Sequence, residues 1–302
     1  MKKILYLLNP KSNNDHGKDL WEKAHKRFPQ LPEKPTLITE IDDISKYIKE
    51  QSPDIVVIAG GDGTINAICQ AVLPLKQKPV LTILPMGTGN ALSYCLGVET
   101  LEKSMTVLQG PAKQITIDLI QTNIKKHSIG VLNISAGFDA RIVFNHANYR
   151  YIGIPSYLLS GLRSIFSHPE KEITFTIDKK VTLQATASSL FVANSQAIGQ
   201  NVVISPHAKL NDGLLDCTLF STKYAYLRNL RLRGFRHPFY TELGKVHFKA
   251  SSLSIQGEPF VQIDGDSVLW QDSLEIEVMP KAVTFLRNND KQIDQYYLPF
   301  VV

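Results

Sequence analysis

The feature that most constrains the fold is an apolar run, Asp54 to Ala59, that stops on Gly60-Gly61-Asp62-Gly63-Thr64 and gives way to a helical pattern. The run reads as a short buried strand. Three glycines in four positions let the backbone turn sharply and bring its N–H groups close to an anion. The chain then repeats the arrangement: Pro79 to Leu84 is strand-like, and Pro85-Met86-Gly87-Thr88-Gly89-Asn90-Ala91 again turns into a helix-like segment. Gly63 to Ala67 and Gly87 to Ala91, 24 residues apart, share the pattern Gly-Thr-x-Asn-Ala. A third strand-like run, Lys3 to Leu8, leads into Asn9-Pro10-Lys11-Ser12. In an open parallel α/β sheet such loops gather at the C-terminal edge, where ligands bind. An acid inside a phosphate-type turn repels phosphate unless a cation lies between them, so Asp62 points to Mg²⁺ with a nucleotide.

The first 120 or so residues alternate strand-like runs with helical patterns at Asp19 to Arg27, Ile41 to Gln51, Ile65 to Leu73 and Leu101 to Leu108, which requires a parallel sheet. From Ile115 the texture becomes β-rich, with strand-like stretches Ile173 to Ile177, Val181 to Ala193, Val202 to Ser205, Leu215 to Phe220, Leu253 to Ile255 and Leu274 to Val278. A length of 302 residues with 43% hydrophobic content allows one large or two medium cores, and the change of texture favours two domains. The expected architecture is an N-terminal α/β domain with a Rossmann-like parallel sheet and a C-terminal β-sandwich. Residues 1–115 form the first, 116–282 the second, and 283–302 return to the first.

Cys69, Cys95 and Cys217 are odd in number and lie at no metal-ligand spacing, so they are expected as reduced core residues. Ile4 to Leu8 is too short an apolar stretch for a signal peptide, which predicts a cytoplasmic protein. No stretch reaches the roughly 20 apolar residues of a membrane span. The net charge of +5 favours visits to an anionic leaflet. Tyr224 to Tyr240, with Arg228, Arg231, Arg233, Arg236 and His237 among leucines and aromatics, reads as an amphipathic helix, either docking on a membrane or packed on its own domain with solvated arginines. Tyr149 to Phe166 is an aromatic, leucine-rich stretch that fits core packing or an acyl-chain-facing role.

Taken together, these motifs resemble the diacylglycerol kinase and sphingosine kinase family of lipid kinases, related in fold to NAD kinases. Asn9 to Ser12, Gly60 to Thr64 and Pro85 to Asn90 resemble its three nucleotide loops. Asn133 to Asp139 with Tyr149 to Gly153, Lys209 to Asp216, and Asp264-Gly265-Asp266 resemble segments of its lipid domain. The six stand in family order over most of residues 3 to 280. NAD kinases share Gly-Gly-Asp-Gly, but Pro85 to Asn90 and Gly137 to Ala140 favour lipid kinases.

The resemblance implies roles residue by residue. Nucleotide contacts fall on Asn9, Pro10, Lys11, Ser12, Thr39, Gly60, Gly61, Asp62, Gly63, Thr64, Asn66, Gly87, Thr88 and Asn90. Asn13 and Asn14 depart from the pattern, since a glycine often follows the serine. Asp62 would organise the catalytic Mg²⁺, with Asp118 as a second acid of that network. A third acid of bacterial members falls at Ala91. Lys209, Asp212 and Leu214 match a structural Mg²⁺ site. Asp266, where glutamate is commoner, is the implied general base, although read alone Asp-Gly-Asp is more often a hairpin turn.

Asp139 and Arg141 fall on the lipid-contacting segment. Sphingosine kinases carry an acid where this chain has Arg141, and a cation there would repel a sphingoid amine. The implied activity is ATP- and Mg²⁺-dependent phosphorylation of a lipid hydroxyl, a diacylglycerol-like acceptor being favoured over sphingosine or ceramide. The implied partners are ATP, the lipid and a transiently visited membrane surface, with no nucleic acid. The competing reading is a catalytically silent lipid or nucleotide binder, suggested by Ala67, Ala91 and the shortened Asp266.

Overall fold

A computed structural model of the chain describes residues 2–38, 41–147, 164, 169–199, 202–229, 231–232 and 243–288. They divide into two units, one of Met1–Ile117 with Lys281–Val302, the other of Asp118–Pro280.

In chain order the first unit holds β1 (Ile4–Leu8), a short turn α1 (Ser12–Asp15), α2 (Gly17–Arg27), β2 (Thr36–Leu37), α3 (Ile41–Gln51), β3 (Ile55–Gly60), α4 (Asp62–Val72), β4 (Val80–Pro85), α5 (Ala91–Leu96) and α6 (Leu101–Gln109), and the start of β5 (Lys113–Thr122). The strands run parallel in the order β2-β1-β3-β4. Every residue of β3 is buried, as in a parallel sheet covered on both faces, and this is why its sequence is a continuous apolar run. Trp21 and Ala24 of α2, Ile44 and Ile48 of α3, and Ile65, Ile68, Cys69 and Val72 of α4 supply the cover. Each fully buried leucine or isoleucine contributes about 1.5–3 kcal/mol.

The second unit continues β5 through β6 (Ile129–Gly130), β7 (Asn133–Gly137), α7 (Phe138–Ala147), β8 (Lys171–Ile177), β9 (Val181–Ala187), β10 (Ser189–Ala193), β11 (Ala197–Gly199), β12 (Val202–Val203) and β13 (Leu215–Phe220). After these come α8 (Lys223–Asn229), β14 (Arg231–Leu232), β15 (Lys245–Ala250), β16 (Ser252–Gln256), β17 (Phe260–Ile263), β18 (Asp266–Leu269) and β19 (Leu274–Arg287). Strands β15-β13-β10-β7-β17-β18 form one antiparallel sheet, and β9-β8-β16 with the first part of β19 form the opposing one. Ile134, Leu190, Val192, Leu215 and Leu219 from the first sheet meet Ile173, Phe175, Leu253, Ile255 and Ile276 from the second in a single apolar core. That is a β-sandwich. The other face of the first sheet carries Phe191 and Phe220, which pack on Phe138 of α7 and Tyr226 of α8. The last strand, β19, runs back into the first unit, where Phe285 pairs with Leu81 of β4 in parallel.

Two segments differ from expectation. Val181 to Ala193 is two strands, because β9 pairs β8 while β10 pairs β7 and β13 in the opposing sheet. Ser188 is the crossing point, its N–H donating to Phe220 O and its carbonyl accepting from Phe138 N–H. Gly137 makes the crossing possible, since a Cβ there would lie 2.3 Å from the Ser188 oxygen at a φ of +121°. The expected helix from Tyr224 to Tyr240 ends at Asn229, and Arg231–Leu232 form a strand paired with β12. Residues 233–240, with Arg233, Arg236 and His237, lie outside the described residues, as does Tyr149 to Phe166 apart from Ser164. All three cysteines are buried, as expected, and none forms a disulfide.

Candidate active site

The loops that follow β1, β3 and β4 are joined to one another inside the first unit. Asn9, just past β1, donates its side-chain amide to Thr64 Oγ1 over 2.9 Å and accepts the Lys11 N–H on Oδ1 over 2.9 Å. Ser12 is buried, and its hydroxyl has no hydrogen-bond partner. Beyond it Asn13, Asn14 and Asp15 have φ of +52°, +56° and +67°. This left-handed stretch explains the departure from glycine, because asparagine is among the non-glycine residues that best tolerate that region. Thr88 of the third loop reaches back to Asn13 Oδ1 at 3.4 Å.

The second and third loops meet backbone to backbone. A Cβ on Gly87 would lie 2.4 Å from Gly61 Cα, so neither position has room for a side chain. Gly60 is closed by the helix that follows it, where a Cβ would strike the Thr64 side chain at 2.5 Å, whereas a Cβ on Gly63 would meet nothing within 4 Å. Asn90, at φ +45°, accepts the Gly87 N–H on Oδ1 at 3.0 Å and returns its amide to the Gly87 carbonyl at 2.6 Å. Asp62, the first residue of α4, accepts the Ala91 and Leu92 N–H groups at 3.0 and 3.2 Å. Its carboxylate therefore caps α5. Ala91 touches Asp62 through its backbone, and its methyl is buried. Asn66 lies one turn into α4, its side-chain oxygen accepting from Gln70. Pro10 and Lys11 complete the first loop, and Thr39 lies outside the described residues.

The arrangement can hold a polyanion. Helix α4 opens directly behind β3 with no side-chain cap on its first N–H groups, and a helix N-terminus of that kind favours phosphate. The uncovered space at Gly63 and the unpartnered Ser12 hydroxyl fit a phosphate oxygen, and the Asp62 carboxylate fits a hard cation beside it. Among the described residues no group of three or more His, Cys, Asp or Glu gathers as a ready-made metal cage.

In the second unit, β17 and β18 are joined by a two-residue turn, Asp264-Gly265, with φ of +49° and +90° and Ile263 paired to Asp266. Two positive φ values identify the hairpin turn whose twist suits antiparallel strands. Asp264 anchors it, accepting the Val131, Leu132 and Asn133 N–H groups at 2.7, 2.8 and 3.0 Å. Asp266, the implied base, is exposed at the first position of β18. The pair thus splits into a structural acid and a presented one. The anchoring role of Asp264 was not read from the sequence, where Asp-Gly signalled only a turn.

Asp118 is fully buried, with Oδ2 accepting the Gly213 N–H at 2.7 Å and its own N–H bonded to Leu210 O at 2.6 Å. Its carboxylate is thereby tied to the segment carrying Lys209, Asp212 and Leu214. Asp212 accepts the Leu214 N–H on Oδ1 at 3.2 Å and meets Lys249 Nζ on Oδ2 at 2.9 Å. Lys249 was not found from sequence, since it lies 37 residues downstream with no motif around it.

Asp139, expected on the lipid-contacting segment, is buried inside the second unit. Only 5% of the residue is exposed, and its two carboxylate oxygens accept the hydroxyls of Ser135 and Ser189, which ties α7 to β7 and β10. Burial pushes its carboxyl above the usual carboxylate range, against those two hydrogen bonds, and burial followed by the Asp139 charge raises the Tyr226 phenol. Arg141, two residues on, stacks its guanidinium 4.1 Å above the Phe260 ring, and its Nε is buried without a hydrogen-bond partner.

Comparison with known proteins agrees with this architecture. Residues 3–122 match the diacylglycerol kinase catalytic domain, and residues 132–287 match the YegS C-terminal NAD kinase beta sandwich-like domain. A protein named diacylglycerol kinase from Bacillus subtilis (strain 168) is 25% identical over 303 residues, covering 93% of this chain and 97% of its own. An Enterobacter sp. (strain 638) protein named "probable lipid kinase YegS-like" is 31% identical over 193 residues, covering 61% of this chain and 62% of its own. A crystal structure from Bacillus anthracis str. Sterne, described under diacylglycerol kinase, superimposes with a TM-score of 0.70 at 24% identity, covering 95% of this chain and 98% of that one. At that identity the likeness concerns the fold.

Proposed function

We propose, from the premise that this chain belongs to the lipid kinase family that joins a diacylglycerol kinase catalytic domain to a YegS C-terminal NAD kinase beta sandwich-like domain, that it phosphorylates a lipid hydroxyl with ATP. The observation that carries the reading is the joining of three loops in the first unit. Asn9 bonds Thr64, Gly61 abuts Gly87, and Asp62 bonds Ala91, beside a buried Ser12 hydroxyl with no other partner.

The chain's own groups divide the work. Asn9, Ser12, Thr64, Thr88 and the N–H groups around Gly61 and Gly63 cradle the nucleotide phosphates. Pro10, Lys11, Gly60, Asn66, Gly87 and Asn90 shape those loops, and Thr39 is proposed as a further contact. Asp62 would hold Mg²⁺, which when bound neutralises charge building on the transferred phosphoryl group. Two N–H donors do not cancel the Asp62 charge. Asp118 is proposed as a second acid of that metal network. On the second unit Asp266 takes the proton of the lipid hydroxyl as its oxygen forms a bond to the γ-phosphorus and the bond to the departing ADP oxygen breaks. Arg141 disfavours a cationic acceptor, which supports a diacylglycerol-like lipid over a sphingoid base. The acceptor lies in a membrane, so the enzyme works as a cytoplasmic protein that visits the surface, with Arg228 among the basic groups available. No helix among the described residues is long and apolar enough to cross a membrane.

The test is radiolabelled ATP with diacylglycerol, monoacylglycerol, sphingosine, ceramide and phosphatidylglycerol in mixed micelles. One phosphorylated lipid is expected, with Asp266→Asn lowering its turnover by about 10²- to 10⁴-fold while ATP affinity holds. Asp266→Glu should retain activity. Labelling of none of the lipids would sink the kinase reading, and full turnover by Asp266→Asn would move the base elsewhere.

A further inference from the structure

Residues 209–216 make a tight acidic segment within the second unit. The Asp118 carboxylate accepts the Gly213 N–H at 2.7 Å, and Asp212 Oδ1 accepts the Leu214 N–H at 3.2 Å. Asp216 follows, fully buried on β13. Carboxylates this close together, two of them out of water, require positive charge. The family resemblance would supply it as Mg²⁺ held by Asp212 and the carbonyls of Lys209 and Leu214.

The side chains present do not fit that ion. Asp212 Oδ2 lies 2.9 Å from Lys249 Nζ, and the same ammonium is 3.3 Å from Asp216 Oδ2. The second contact is Coulombic rather than an aligned hydrogen bond. Asp216 Oδ1 meets His247 Nε2 at 3.1 Å. Strand pairing decides this geometry: Asp216 of β13 stands directly opposite Lys249 of β15, so their side chains leave the same face. Mg²⁺ needs near-octahedral oxygen ligation at about 2.0–2.1 Å. Such an ion on Asp212 would share an oxygen with an ammonium already in place.

We propose that Lys249 is the resident cation of this segment: its ammonium bridges Asp212 and Asp216 and takes the place of a divalent ion, so that the loop closes without metal. The sandwich domain is then indifferent to chelators. Any dependence on Mg²⁺ belongs to the nucleotide loops.

The experiment is thermal unfolding of the full chain, nucleotide-free, after chelation and with millimolar MgCl₂ or CaCl₂ at constant ionic strength. Wild type should melt at the same temperature in every buffer. Lys249→Met should melt several degrees lower and recover when either divalent ion is added, because it leaves two carboxylates without their counter-charge. Lys249→Arg should stay near wild type. Adding Asp212→Asn to Lys249→Met should abolish the recovery. The proposal is overturned if wild type gains stability from Mg²⁺ in a way that Asp212→Asn removes, or if Lys249→Met melts like wild type in chelator.

Discussion

Asp62 Oδ2 accepts the backbone N–H of Ala91 at 3.0 Å, so the acid of the second loop fixes the start of the helix behind the third. Both oxygens are engaged this way, since Oδ1 accepts from Leu92. The residue proposed to hold the metal is also an architectural cap, and its substitution should show both effects. Asp62→Asn is expected to cut turnover by about 10²-fold or more, as loss of electrostatic stabilisation does. It should also cost up to about 1 kcal/mol of stability, the scale of a weakened helix cap. Turnover near wild type in saturating Mg²⁺ would end the metal role.

Gly87 and Gly63 should separate packing from ligand contact. Gly87→Ala places a Cβ 2.4 Å from Gly61 Cα, a clash between two backbones, and should destabilise by about 1–3 kcal/mol. Gly63→Ala meets nothing within 4 Å and replaces glycine in a helix, which should stabilise by about 0.4–1 kcal/mol. If the space over Gly63 is where phosphate lies, the same variant loses ATP affinity. Calorimetry of ATP binding alongside denaturant melts decides it, and unchanged affinity in Gly63→Ala would remove the phosphate from that place.

Asp264 and Asp266 are two residues apart and should behave in opposite ways. Asp264→Ala leaves three N–H groups, those of Val131, Leu132 and Asn133, without their acceptor, at a position with φ of +49°. A loss of about 1–3 kcal/mol or more is expected. Asp264→Asn tolerates the backbone better and should lose less. Asp266→Asn, at an exposed position, should leave the urea midpoint unchanged while lowering turnover. Equal stability losses in the two variants would show that both acids are structural.

The buried Asp139 predicts a pH dependence with a definite sign. Its folded pKa is raised above the unfolded value of 3.8, so its contribution is fully present below that value and is lost as pH rises through the folded pKa. Asp139→Asn keeps an acceptor for one serine hydroxyl and removes the ionisation. The variant should therefore gain stability relative to wild type as pH increases from about 4 towards neutrality. A difference between the two that does not change with pH would show that Asp139 does not titrate in that range.

The first unit was largely legible because its central strands β3 and β4 are buried on both faces. Continuous apolar runs such as Ile55–Gly60 announce themselves, and the glycine loops behind β3 and β4 mark the expected ligand edge. The second unit was legible as β-rich but not strand by strand. Val181 to Ala193 carries no local sign that the chain changes sheets at Ser188, which follows from the close approach of Gly137. Tyr224 to Tyr240 has the pattern of one helix, yet Arg231–Leu232 pair with Val202–Val203, because a partner strand satisfies the backbone there.

The sequence by itself determined the order of the loops, the residue types in each and the alternation that makes a parallel sheet, since these are local properties of spacing and apolar pattern. Tertiary structure alone decided which acids are presented to solvent and which hold the chain. Asp62 is tied to a helix 29 residues on, Asp118 to a turn 95 residues on, and Asp212 to a lysine 37 residues on. Asp139 and Asp266 look alike as letters, but one is sealed between two strands and the other is presented by a hairpin. A carboxylate's role is set by what donates to it and how much water reaches it, and both depend on residues far away in the chain.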